Sequence, residues 1–128
     1  MNFKHPERHL HEFFELVPKL RLILSDIECW ALENGETMTI TCLIRTEAEQ
    51  LALFEAGQAE SKTSVHQFGR GADVRLFKNE YLNEKVGIYI NSKFPYDRSR
   101  PHMKTLITHS GTASHHHVQC TLEKEPSI

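Results

Sequence analysis

The sequence has no long apolar run, no surplus of either charge and no metal-type cysteine pairing, and each absence narrows what the chain can be. No segment approaches the ~18 apolar residues of a membrane span. Met1-Asn2-Phe3-Lys4-His5-Pro6 lacks the apolar stretch of a secretory signal. The expectation is a protein made in the cytoplasm without a signal peptide and with no membrane partner. Lys and Arg total 15 against 17 Asp and Glu, a net charge of -2, which offers no general attraction to nucleic acid or anionic lipid. The nearest approach to a basic patch, Arg98, Arg100, His102 and Lys104, reads as a solvated loop. Cys29, Cys42 and Cys120 are an odd count without CxxC spacing, and read as reduced, mostly buried thiols. There is no internal repeat and no low-complexity tract.

What remains is ordinary in bulk. A chain of 128 residues is expected to form one domain, 1–128. Residues 1–15 read as a polar arm whose His5, His9 and His11 are surface residues, and residues 123–128 read as a polar tail. From Pro18, a residue suited to a first turn, Leu16, Leu20, Ile23, Leu24, Ile27, Trp30 and Ala31 recur at helical steps, and Asn34-Gly35 supplies the stop. Met38 to Ile44 is a β-branched run and predicts a strand. Thr46 and Glu49 form a capping-box pair for a helix running to Gly57. That puts Arg45 at a strand-to-helix junction, facing either a ligand or a surface salt bridge. Gln58 to Thr63 is a polar loop. Ala72 to Leu76 alternates as a strand, with Asp73 and Arg75 on the polar face. Asn79 to Phe94 is helical, with Tyr81, Leu82, Val86, Tyr89 and Ile90 on one side. Met103–Thr108 and His116–Leu122 predict a hairpin around Ser110 to Ala113.

Two stretches carry chemistry. Ser64-Val65-His66-Gln67-Phe68-Gly69-Arg70-Gly71-Ala72-Asp73 sets a histidine and an aspartate around two glycines, and Ser114-His115-His116-His117-Val118-Gln119 follows in a later strand. Strand parity places His115, His117 and Gln119 on one face. His116 falls with Val118, Cys120 and Leu122 on the core face, and reads as structural. His66, Asp73 and His117 would then be a two-histidine, one-carboxylate set with a fourth position left for water, the usual build of a catalytic zinc site. With nine histidines in the chain, spacing alone leaves chance pairing open.

Ser64-x-His66-x-x-Gly69-x-Gly71-x-Asp73 resembles the SxHxxGxAxD signature of the D-alanyl-D-alanine carboxypeptidase and L-alanyl-D-glutamate endopeptidase family of zinc peptidases, which includes many phage endolysins. Gly71 stands where that signature has alanine. Ile44-Arg45-Thr46-x-x-x-Gln50 resembles the family's arginine-bearing segment, and His115-x-His117 resembles its closing H-x-H strand. The likeness covers roughly residues 38–122. It implies an α+β fold, a small antiparallel sheet packed against helices in the hedgehog/DD-peptidase-like manner. It implies one Zn2+ on His66, Asp73 and His117, with Ser64 and Gln119 as supporting partners and Arg45 on a substrate carboxylate or carbonyl. The implied reaction is hydrolysis of an amide bond in peptidoglycan stem peptides or crosslinks. A protein of this kind without a signal peptide would act on the wall after release, or as a virion component. One departure stands out: where the carboxypeptidase branch has an acidic base three positions before the last ligand, this chain has Ser114. His115 is the candidate stand-in, with Asp97 and Glu80 as more distant carboxylates. Without a base, the same fold would be a degenerate zinc-binding module. A third reading is a small α+β domain with no metal.

Overall fold

The computed structural model describes residues 1–108 and 115–121. In order, they form β1 (Asn2–Phe3), α1 (Pro6–Phe13), α2 (Pro18–Glu33), β2 (Thr39–Cys42), α3 (Glu47–Glu55), a 3-10 turn (Val65–Phe68), β3 (Gly71–Arg75), α4 (Glu80–Lys93), β4 (Leu106–Thr108) and β5 (His115–Gln119). The five strands make one sheet in the order β1-β2-β3-β5-β4. Only the β1–β2 pair is parallel. This is an α+β architecture. The expected turn at Ser110 to Ala113, Ser114, Leu122 and the 123–128 tail lie outside the described residues. Among the described residues, no helix is long and apolar enough to cross a membrane.

One face of the sheet is the core. Ile40, Ala72, Val74, Val118 and Leu106 are buried on it, against Leu20, Ile23, Leu24 and Ile27 of α2 and Val86 and Ile90 of α4. The three-and-four spacing of the α2 residues is what puts them on a single stripe. Trp30 packs against this cluster, its ring 5.4 Å from Phe77. Glu28 shares the stripe, and its burial is tolerated because its carboxylate accepts from the Thr37 hydroxyl (2.7 Å) and the Met38 N–H (3.1 Å). α4 is tied to the β4 edge by Asn91, whose side-chain oxygen accepts from Thr105 N–H and Leu106 N–H, both at 2.9 Å. Tyr81, placed with the apolar side of this helix by periodicity, is instead exposed.

The N-terminal segment is not an arm. Asn2 and Phe3 pair with Thr39 and Ile40 of β2, and α1 folds back beside them. His9 is buried rather than on the surface. Arg8 explains the docking: its guanidinium donates to Ile44 O (2.8 Å) and to both carboxylate oxygens of Glu49 (2.8 and 3.1 Å). Glu49 is also the capping-box glutamate of α3, with Thr46 Oγ1 accepting from Glu49 N–H at 3.1 Å and Glu49 accepting from Thr46 N–H at 3.0 Å. Those hydrogen bonds, that from Arg8 foremost, lower the Glu49 pKa to about 2. Thr46→Ala removes one half of the box. It is expected to lower unfolding stability by about 1 kcal/mol in a urea titration.

The other face of the sheet is polar. Parity sets Asp73 opposite His117 and Ala72 opposite Val118 across the β3–β5 ladder. On β2 the ladder slips. Ile40 pairs with Val74, but Cys42 pairs with Asp73, so Thr41 is an extra residue in a β-bulge. The slip turns Cys42 away from the core face that Ile40 occupies and brings Leu43 onto it, buried. Cys42 is half-buried and Cys29 is exposed, so only Cys120 fits the expectation of buried thiols.

Candidate metal centre

The residues of the polar face converge at the middle of the sheet. β3 carries Asp73, β5 carries His117, and the 3-10 turn before β3 carries His66. That turn is held in place at both ends. Ser64 caps it, with its hydroxyl accepting from His66 N–H (3.3 Å) and its own N–H donating to Gln67 Oε1 (2.7 Å). Gly69 closes it in the left-handed region, φ 68°, a conformation glycine adopts without steric cost. Its carbonyl accepts from Val17 N–H at 3.0 Å, and His66 O accepts from Arg45 N–H at 3.2 Å. Gly71 then lets the strand pass close beneath the turn. A Cβ there would lie 2.5 Å from Val65 Cγ2 and 3.3 Å from His117 Cε1.

The hydrogen bonds decide which nitrogens face the centre. His66 Nδ1 lies 2.7 Å from Leu43 O, which only accepts, so Nδ1 carries the proton and Nε2 is left toward Asp73 Oδ1 at 3.4 Å. His117 Nε2 lies 3.2 Å from Gln119 Oε1, and the orientation of that amide is fixed because its nitrogen donates to Lys104 O at 2.9 Å. His117 Nε2 is therefore the donor, and its Nδ1 faces the same Asp73 Oδ1 at 3.0 Å. Asp73 Oδ2 accepts from Arg45 Nη2 (3.3 Å), and Arg45 Nη1 is taken by Gln50 Oε1 (3.0 Å). Gln50 is itself anchored to Ser61 O. A fourth donor adjoins: Cys42 Sγ, a His66 ring nitrogen and an Asp73 oxygen all lie within 4.8 Å of one another.

Cys42, His66 and Asp73 form a group that could hold a metal ion. Two imidazoles with one nitrogen tied to an acceptor and the other turned to a shared carboxylate are the arrangement in which histidines ligate. Zinc–nitrogen and zinc–oxygen bonds near 2.0 Å set ligand atoms about 3.3 Å apart on a tetrahedron, and the two histidine nitrogens stand 3.4 and 3.0 Å from Asp73 Oδ1. The protonation state agrees. Burial alone would lower the His66 pKa, but the hydrogen bonds and charges of Asp73 and Cys42 push it up to about 9. Asp73, which burial alone would raise, is held well below the usual carboxylate range by His117 and His66. In the metal-free protein a proton thus bridges groups that a cation would otherwise draw together.

This has a pH consequence. A His66 pKa raised above its ordinary 6.5 means stability that is complete below pH ~6.5 and lost as pH rises through 9. Chelator-treated protein is expected to lose roughly 1–3 kcal/mol between those values in urea titrations. Saturating zinc should abolish that decline, because the ion replaces the proton.

Of the other expected residues, His115 lies opposite Arg75 at the start of β5, two residues from His117, and is half-buried. His116 is fully buried on the core face, with Thr108 Oγ1 3.0 Å from its Nδ1. Ser64 steadies the His66 backbone rather than the ring; Leu43 O takes the ring, a role no side-chain motif announces. Ser114 falls outside the described residues. Asp97 is committed to Ser99 and Arg100, whose hydrogen bonds lower its pKa to about 2, too acidic for a base near neutrality. Glu80 sits exposed in the first turn of α4. Cys42 is the residue that sequence reading missed. The sequence carries no signal for it: the step of three from Ile40 to Leu43 shows only in which positions are buried.

No protein-family model matches the sequence, and no curated protein matches it significantly. Among solved structures, the fold is similar to that of the L-Ala D-Glu endopeptidase ChiX of Serratia marcescens. The match has a TM-score of 0.55 and covers 91% of this chain and 89% of that one, at 14% sequence identity. The likeness is one of fold, an α+β architecture with a mostly antiparallel sheet.

Proposed function

We propose that the protein is a zinc-dependent peptidase that hydrolyses an amide bond in peptidoglycan stem peptides or crosslinks. The observation that carries this reading is the convergence of His66 Nε2 and His117 Nδ1 on one Asp73 carboxylate oxygen, in a fold similar to that of an endopeptidase. His66, Asp73 and His117 are the proposed ligands. Bound zinc would supply a water acidic enough to ionise near neutral pH and a Lewis acid for the scissile carbonyl.

The chain's own groups supply the rest. Leu43 O and Gln119 fix the tautomers of the two histidines, so each keeps a lone pair toward the centre. Arg45 steadies Asp73 through Oδ2, and its remaining N–H groups are available to a substrate carbonyl or carboxylate. His115 is the candidate base. It precedes His117 by two positions along β5, on the same face by strand parity, and a neutral imidazole nitrogen can accept a proton. Release from a host cell by a separate lytic partner, or carriage on a virion, accords with this activity.

The test is release of free amino groups from purified peptidoglycan by protein prepared without a histidine tag. Release that stops with chelator and returns with zinc supports the reading. Zinc-loaded protein that releases nothing sinks it in favour of a zinc-binding module without turnover. His115→Ala retaining full turnover would remove His115 as the base.

A further inference from the structure

The bulge in β2 places the Cys42 sulfur beside the proposed ligands, 3.9 Å from His66 Nδ1, and the three-ligand set does not use it. Cys42 is the cross-strand partner of Asp73, and its thiol is within 4.8 Å of both a His66 nitrogen and an Asp73 oxygen. Directly opposed residues on one face of an antiparallel pair have Cβ atoms ~5 Å apart, close enough for both side chains to reach one ion. We infer that Cys42 is a fourth protein donor to the metal, closing in the resting protein the position that catalysis would need open. This rests on the metal-centre reading above and adds to it.

Three features favour the thiolate as donor. The first is charge. A dication beside Asp73 also faces the Arg45 guanidinium, 3.3 Å from the same carboxylate, so one carboxylate leaves the buried centre with two uncompensated positive charges. A thiolate halves that excess, and buried charge is costly unless it is balanced. The second is position. Without the extra residue at Thr41, Cys42 would stay on the face of Ile40, in the core. The bulge is pinned from the Asp73 side, with Thr41 Oγ1 donating to Asp73 O at 3.1 Å. The third is chemistry. A cysteine with two imidazoles and a carboxylate is a donor set suited to zinc and to softer divalent ions such as cadmium. On binding, the thiol proton leaves to solvent and sulfur donates an electron pair to the ion, with no change of oxidation state.

Four protein donors define a closed centre, whereas catalytic zinc sites keep one position for water. Turnover would then require Cys42 to leave the ion, which makes this thiol the gate on the proposed activity.

Cobalt(II) added alone to metal-free protein tests the assignment without reference to activity. Tetrahedral cobalt shows visible d–d bands, and a bound thiolate adds a strong sulfur-to-cobalt charge-transfer band in the near ultraviolet. Wild type and Cys29→Ser are expected to show both. Cys42→Ser should keep the d–d bands and lose the charge-transfer band, and Cys42→Ala serves the same purpose if the serine variant does not fold. A wild-type spectrum with d–d bands and no charge-transfer band overturns the Cys42 assignment while leaving the metal centre standing. So does a charge-transfer band that survives in the Cys42 variants. Absence of the d–d bands overturns the metal centre, and the role of Cys42 with it.

Discussion

His66→Ala is expected to release the metal. The imidazole is the most enclosed of the proposed ligands, only 2% exposed, and its Nδ1 is fixed by Leu43 O at 2.7 Å. Its Nε2 is therefore held in place before any ion arrives. Loss of groups that merely orient ligands costs 10–100-fold in affinity, so loss of this ligand should exceed about 100-fold. Elemental analysis of dialysed protein should fall from about one zinc per chain to background. Wild-type occupancy in His66→Ala would remove His66 from the ligand set. Asp73→Asn provides the complementary measurement. It keeps the shape but removes the charge to which both histidines and Arg45 point, and it should lose metal without losing the fold. In chelator, the same variant should flatten the pH dependence between 6.5 and 9, because Asp73 is what holds the proton on His66.

Gly71→Ala, which restores the alanine of the motif that this stretch resembles, is expected to damage the protein. A methyl there would come within 2.5 Å of Val65 Cγ2, within 3.3 Å of the His117 ring and within 3.3 Å of His66 N. Val65 is β-branched and has little rotamer freedom with which to yield. The expected cost is about 1–3 kcal/mol in stability, typical of an over-filled site. A drop in zinc affinity should accompany it, because the atoms that must move belong to both proposed histidine ligands. Val65→Ala/Gly71→Ala should recover most of both losses, since the space the valine occupies is the space the added methyl needs. A single variant as stable as wild type, or a double variant no better than the single, would refute that coupling.

Much of the scaffold was legible because it is local. The α2 stripe, the stop at Asn34-Gly35 and the Thr46–Glu49 capping box depend on residues a few positions apart, whose geometry follows from helical pitch. The alternation of β3 and β5 likewise separated Asp73 and His117 from the core face that holds Val74 and His116. The N-terminal segment defeated the same reasoning. Two residues of strand and eight of helix carry too little pattern to announce themselves, and they are held by β2 and by Arg8 reaching Ile44 and Glu49. Arg45 was legible as a residue at a junction, but not as the partner of Asp73, 28 positions away.

By itself, then, the sequence determined helices α2, α3 and α4, the stop of α2 and the cap of α3, the faces of β3 and β5, and the three side chains that parity and motif set apart as candidate ligands. Only the tertiary structure decided how those groups stand to one another. A backbone carbonyl, Leu43 O, selects the nitrogen that His66 presents, and a carbonyl leaves no trace in residue type. The bulge at Thr41 reverses parity within β2 and turns Cys42 from the core toward Asp73, because register belongs to a pair of strands and cannot be read from one.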